Sequence, residues 1–89
     1  MERKRIDIHG YSLDQAEDYL IGEILECNVK SYDSLEVIHG FNRGTALRNL
    51  IRFELPRFNL NYFKSEKIKI KVEWFEEGRT IIHVKNYNN

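Results

Sequence analysis

Apolar and polar residues alternate with a period of two over Ile6-Asp7-Ile8-His9, which predicts a short strand closed by Gly10. The period then lengthens. Leu13, Ala16, Leu20, Ile24 and Cys27 recur every three or four positions and predict one apolar helical face. Ser12-Leu13-Asp14-Gln15 is a capping-box pattern, in which serine and glutamine side chains satisfy free amides at a helix start. Asp14, Glu17, Asp18, Glu23 and Glu26 fill much of the remaining surface, so the helix is expected to be acidic and solvent-facing on its outer side. Asn28 to Ser34 is polar and turn-like. Leu35-Glu36-Val37-Ile38-His39 predicts a second strand, again closed by a glycine, Gly40.

Phe41-Asn42-Arg43-Gly44 then reads as a loop, with Thr45 as the N-cap of a second helix. Leu47, Leu50, Ile51 and Leu55 give that helix its apolar face, and Pro56 is expected to end it. Arg48 and Arg52, four residues apart, project from one side. Arg57 to Glu66 is aromatic and irregular. Beyond it, Ile68, Ile70, Val72 and Trp74 alternate with Lys69, Lys71 and Glu73, a strong strand pattern. Glu76-Glu77-Gly78-Arg79 suits a hairpin turn, and Thr80 to Lys85 forms the last strand. The order β-α-β-α-β-β predicts an α/β fold of the α+β two-layer kind: two helices on a small mixed four-stranded sheet, in a single domain over residues 1–89.

Composition narrows the class. With 42% apolar and 31% charged residues, the 89-residue chain suits an ordered soluble domain with one core. No run approaches the ~18 apolar residues of a membrane span, and Met1-Glu2-Arg3-Lys4-Arg5 does not lead into a signal-peptide core. A single cysteine, Cys27, excludes an internal disulfide and suits a reducing compartment, so the cytoplasm is the expected location; the sequence does not fix the oligomeric state, and a monomer is the default. The formal charge of zero hides an asymmetry. Residues 1–40 carry four Lys/Arg against nine Asp/Glu, a net of −5, and residues 41–89 carry ten against five, a net of +5. A whole-surface attraction to nucleic acid is not expected, but a one-sided basic surface is compatible with these counts.

Ile6 and Ile8 share one face of the first strand, so Asp7 and His9 share the other. A carboxylate there can orient the imidazole and favour its protonated form. Taken alone, an Asp-x-His triplet is more often the polar outer face of a sheet. The second strand repeats the arrangement with His39-Gly40, and parallel strands would bring His9 and His39 to one edge, where ligands collect in open α/β sheets. Two histidines there suit acid-base work or a phosphate clamp. The stretch His39-Gly40-Phe41-Asn42-Arg43-Gly44-Thr45, with Arg48 following, has the glycines and arginines of an anion site; it equally suits an ordinary strand-to-helix turn. The Lys-Ser/Thr pair of a P-loop is missing. His83 reads as structural. Three scattered histidines and one cysteine show no zinc spacing, and no cofactor is expected, although a carboxylate-bound divalent cation at Asp7 stays open. Tyr62, Phe63, Trp74 and Phe75 suit base stacking or a core, with the core favoured for Trp74.

These pieces resemble one family. Ile6-Asp7-Ile8-His9-Gly10 resembles the Leu-Asp-x-His-Gly opening of Smr (small MutS-related) domains. Val37-Ile38-His39-Gly40 with Gly44 resembles their His-Gly-x-Gly-x-Gly motif, Leu47-Arg48 their next helix start, and Gly78-Arg79-Thr80-Ile81-Ile82 their closing Gly-x-Thr-x-Val strand. The resemblance spans nearly the whole chain. It implies a nucleic-acid-binding domain, in several members an endonuclease acting on RNA or DNA, and in some acting on messenger RNA at stalled ribosomes. By the same resemblance, Asp7 and His9 would be the catalytic or phosphate-contacting pair, with His39, Gly40 and Gly44 in the adjoining loop. Asn42, Arg43, Thr45, Arg48 and Arg79 would line the phosphate-binding surface.

The chain also departs from the motif. Asn42 replaces the middle glycine, one extra residue precedes Leu47-Arg48, and Glu76 stands where Gly-Gly is usual. These changes bear on cleavage more than on fold. Three readings follow: an RNA-cleaving Smr-type domain, a non-catalytic adaptor for nucleic acid or the ribosome using the same edge, and, more remotely, a small phosphoester enzyme.

Overall fold

A computed structural model of the chain describes residues 3–30, 32–40 and 46–86. Strand β1 (Arg3–Asp7) leads into helix α1 (Leu13–Lys30) and strand β2 (Ser34–Ile38). A helical run follows, made of α2 (Ala46–Asn49), a π-turn (Leu50–Glu54), α3 (Leu55–Phe58) and α4 (Leu60–Ser65). Strands β3 (Ile68–Glu76) and β4 (Arg79–Asn86) form the closing hairpin. The sheet order is β1-β2-β4-β3, with β1 parallel to β2 and the other pairs antiparallel. This is the mixed four-stranded sheet that the alternation pattern predicts. The C-terminal ends of β1 and β2 and the β3–β4 turn therefore share one edge.

Alternation places the core on one face of the sheet. Ile6, Leu35, Val37, Ile82 and Val84 turn toward the helices, where Ala16, Leu20, Ile24 and Cys27 of α1 are fully buried. Each large aliphatic side chain withdrawn from water in this way contributes about 1.5–3 kcal/mol. The capping box forms as expected: Ser12 Oγ accepts from the Gln15 amide at 3.2 Å, and Gln15 Oε1 accepts from the Ser12 amide at 3.1 Å. Three expectations for α1 are corrected. Leu13 lies at the helix mouth and stays 46% exposed, so the apolar face begins at Ala16. The helix also runs on to Lys30, closed by a Lys30–Glu26 ion pair one turn back. Glu23 is buried rather than solvent-facing, with its Oε1 2.7 Å from Lys4 Nζ on β1.

The second helical region differs more. Pro56 does not end it. The chain widens into a π-turn just before the proline, with the Leu55 amide donating to the Leu50 carbonyl, and Pro56 then sits in the first turn of α3. An α-helical path would drive the proline ring against the carbonyl four residues back; the wider turn relieves that clash, and a first-turn position needs no proline N–H. The stretch read as irregular, Arg57 to Glu66, is mostly helical because Phe63 anchors it in the core beside Leu55 and Ile68. Trp74, expected in the core, is 60% exposed.

Candidate functional site

The ends of β1 and β2 meet through backbone. The Ile8 amide donates to the Ile38 carbonyl at 2.9 Å, and the amides of His39 and Gly40 both donate to the Gly78 carbonyl, at 2.9 and 3.1 Å. Gly10 and Gly40 adopt positive φ, 83° and 74°, so each chain reversal uses the left-handed region that glycine enters freely. A Cβ placed on Gly40 would lie 3.6 Å from His9 Cβ. The two His-Gly turns are thus neighbours, with the β3–β4 turn bonded beneath the second.

The side chains diverge. Asp7 Oδ1 accepts from the His9 amide at 3.0 Å and from His9 Nδ1 at 2.7 Å. This fixes the ring with Nδ1–H toward the carboxylate and leaves Nε2 facing outward on a side chain 73% exposed. The side-chain and backbone hydrogen bonds from His9 hold the Asp7 carboxyl below its ordinary range.

His39 is only 4% exposed and turns the other way, toward the helices. Its Nδ1–H donates to the Gly40 carbonyl at 2.9 Å. Its Nε2 lies 2.9 Å from Thr80 Oγ1, which also accepts from Arg52 Nε at 2.9 Å. With Arg52 donating, the threonine hydroxyl hydrogen is free to point at His39 Nε2. The result is a directed chain from Arg52 through Thr80 and His39 to the Gly40 carbonyl. Burial depresses the His39 pKa, as do the Arg52 and Arg48 charges, against the backbone hydrogen bond at Gly40. A neutral ring protonated at Nδ1 satisfies every partner.

Arg52 is tied further, its Nη2 donating to the carbonyls of Glu76 at 2.7 Å and Arg79 at 3.2 Å. Neither Arg52 nor Thr80 stood among the residues that the sequence picked out as a site. The signals were present in the Arg48/Arg52 spacing and in the Gly78-Arg79-Thr80 ending, but their convergence on His39 is a tertiary fact. Arg48 is half-buried near Arg52.

Arg79 points to the opposite, open face of the sheet. There its Nη1 meets the buried Glu36 Oε2 at 3.0 Å, with Arg5 Nε 3.2 Å from the same oxygen, and its Nε bonds Glu76. These arginines, Arg79 foremost, hold the Glu36 carboxyl below its usual range. The Glu76 charge is therefore directed to Arg79. Of the remaining residues picked out from the sequence, Asn42, Arg43, Gly44 and Thr45 lie outside the described residues. No group of three or more His, Cys, Asp or Glu side chains arranged to hold a metal occurs among the described residues. A cavity of about 440 Å³ on the open face is lined by Lys69, Lys71, His83 and Lys85, with His83 Nε2 2.7 Å from Glu73. Lysines along an edge hairpin also discourage strand addition by another chain.

Mixed sheet, one helical layer and a shared strand-end edge with two His-Gly turns define the Smr class of fold. The Smr domain family model matches residues 6–85, and the chain belongs to that family. The crystal structure of the Smr domain of Thermus thermophilus MutS2 superposes with a TM-score of 0.72 at 20% identity, covering 92% of this chain and 98% of that one, a likeness of fold. None of the curated proteins compared matches the chain. No helix among the described residues is long and apolar enough to cross a membrane.

Proposed function

We propose that this domain binds nucleic acid along the edge carrying the two His-Gly turns and cuts RNA with the Asp7–His9 pair. The observation that carries this reading is the pair itself: a carboxylate 2.7 Å from His9 Nδ1, leaving Nε2 exposed beside the Gly40 turn. In the proposed step His9 Nε2 takes the proton of a ribose 2′-hydroxyl. The oxygen attacks the adjacent phosphorus, the bond to the 5′-oxygen breaks, and that oxygen takes a proton from water. His9 returns its proton to solvent. The products are a 2′,3′-cyclic phosphate and a 5′-hydroxyl, and the step needs no metal. Arg48, and Arg43 by its place in the motif, would balance phosphate charge. His39 is a positioning residue in this scheme, holding the Gly40 backbone against His9. The family resemblance suggests translation-linked RNA as substrate, with DNA as the alternative.

The test is RNA cleavage by the purified chain on single-stranded and structured RNA, with and without chelator. Cleavage should fall about 10²- to 10⁴-fold in Asp7→Asn and His9→Ala. Cleavage that persists undiminished in both variants refutes the assignment.

One observation favours a second reading, a non-catalytic adaptor. Both nitrogens of the buried His39 are engaged, so among the described residues the edge offers one exposed imidazole and no partner acid for the leaving oxygen. That reading predicts salt-dependent binding weakened by Arg43→Ala and Arg48→Ala, without turnover.

A further inference from the structure

Trp74 is the chain's sole tryptophan and lies on the edge strand β3. It pairs with Thr80 across β3 and β4, so it lies one strand from the hydroxyl that bonds His39 and on the same face. The strand register shifts immediately after it, between Trp74 and Glu76, and such irregularities re-aim side chains beside binding sites. The indole is 60% exposed but does not hang loose. Arg52 covers it with its guanidinium carbon 5.0 Å from the ring centroid, and Phe53, itself 50% exposed, meets it edge-on at 5.4 Å. Arg52 is in turn fixed by Thr80 and by the Glu76 and Arg79 carbonyls. The π-turn supplies both Arg52 and Phe53 from adjacent positions.

The geometry points to Trp74 as a stacking platform for an unpaired base of a single-stranded nucleic acid. The inference rests on the nucleic-acid reading above and adds a preference for single strands. An aromatic face held in place by its neighbours loses little freedom on stacking, and the stack is open to any base. Arg52, with the Arg48 charge near it, puts positive charge beside the ring, which suits a phosphate-bearing ligand rather than an apolar peptide. Three strand spacings separate β3 from β1, roughly 14 Å. Trp74 lies on the helix-side face and Asp7 and His9 on the open face, so a single strand with a base on Trp74 rounds the shared strand-end edge to bring its backbone to the pair. A base held in a duplex has no free face to offer.

Tryptophan emission reads this contact directly, because Trp74 is the only indole. The full chain is titrated with an oligouridylate of about ten nucleotides, within the span of single-strand sites, and with a blunt RNA duplex of equal length. Dye-labelled copies report total binding by anisotropy. The expected result is emission that changes with the single strand and not with the duplex. Single-strand affinity should fall about five- to hundredfold in Trp74→Ala and be largely kept in Trp74→Phe. Labelled single strand that binds while Trp74 emission and the Trp74→Ala affinity stay unchanged overturns the platform and leaves the nucleic-acid reading standing. Equal emission changes with duplex overturn the single-strand preference. No binding of either RNA removes both readings together.

Discussion

His9 lies two residues past the end of β1 and His39 one past the end of β2, and each is followed by a glycine. Their surroundings have little in common. His9 stands in solvent with one nitrogen on Asp7 and the other unpaired by any described residue. His39 is enclosed, with Nδ1 on the Gly40 carbonyl and Nε2 on Thr80. The difference begins with sheet parity. Asp7 and His9 fall on the open side of β1, whereas His39 continues the buried row of Leu35 and Val37 on β2. A sequence motif fixes residue type and spacing; which side of the sheet it ends on decides whether the imidazole is available for chemistry.

Removing the Thr80 hydroxyl breaks the enclosed half of this comparison most severely. Thr80→Val leaves His39 Nε2 and Arg52 Nε without their shared partner, and the buried His39 nitrogen so orphaned costs about 1–3 kcal/mol, the half-buried Arg52 less. Urea unfolding should show that loss, while Asp7→Asn, at a half-exposed position, should change the midpoint little.

Acid sharpens the same contrast. The folded His39 pKa lies below its ordinary value of 6.5, so the unfolded chain binds its proton first as pH falls. The His39 contribution is complete above about 6.5 and is lost as pH drops from there through the folded pKa. Asp7, also depressed, acts lower: its contribution holds above the ordinary carboxyl value of 3.8 and fades below it. Unfolding free energy measured between these two values should therefore slope with pH in the parent chain and slope less in His39→Asn. Smaller again is the effect expected of Gly40→Ala. A Cβ there meets only an ordinary contact with His9, but φ of 74° costs an alanine about 1–2 kcal/mol, which thermal unfolding will register.

Much of the fold was legible because it is local. Ser12 and Gln15 form the capping box that their spacing predicts, and the alternations of Ile6/Ile8 and Ile68/Ile70/Val72 mark their strands. The Asp7–His9 contact was legible for the same reason, being set by the two-residue repeat of a strand. The remainder depends on residues far apart in sequence. The convergence of Arg52 and Thr80 on His39 joins the helical run to β2 and β4. Pro56 reads as a helix stop unless a π-turn precedes it. Trp74 reads as core by alternation, yet it lies at the end of an edge strand that the helices do not fully cover.

Ring-nitrogen NMR of the three histidines tests the division of roles most directly. His39 should remain the neutral Nδ1–H tautomer at pH values where an ordinary imidazole is protonated. Adding single-stranded RNA should shift the His9 ring resonances and leave the His39 tautomer unchanged. A His39 ring that titrates at an ordinary value, or that changes protonation when RNA binds while His9 stays still, would contradict the account.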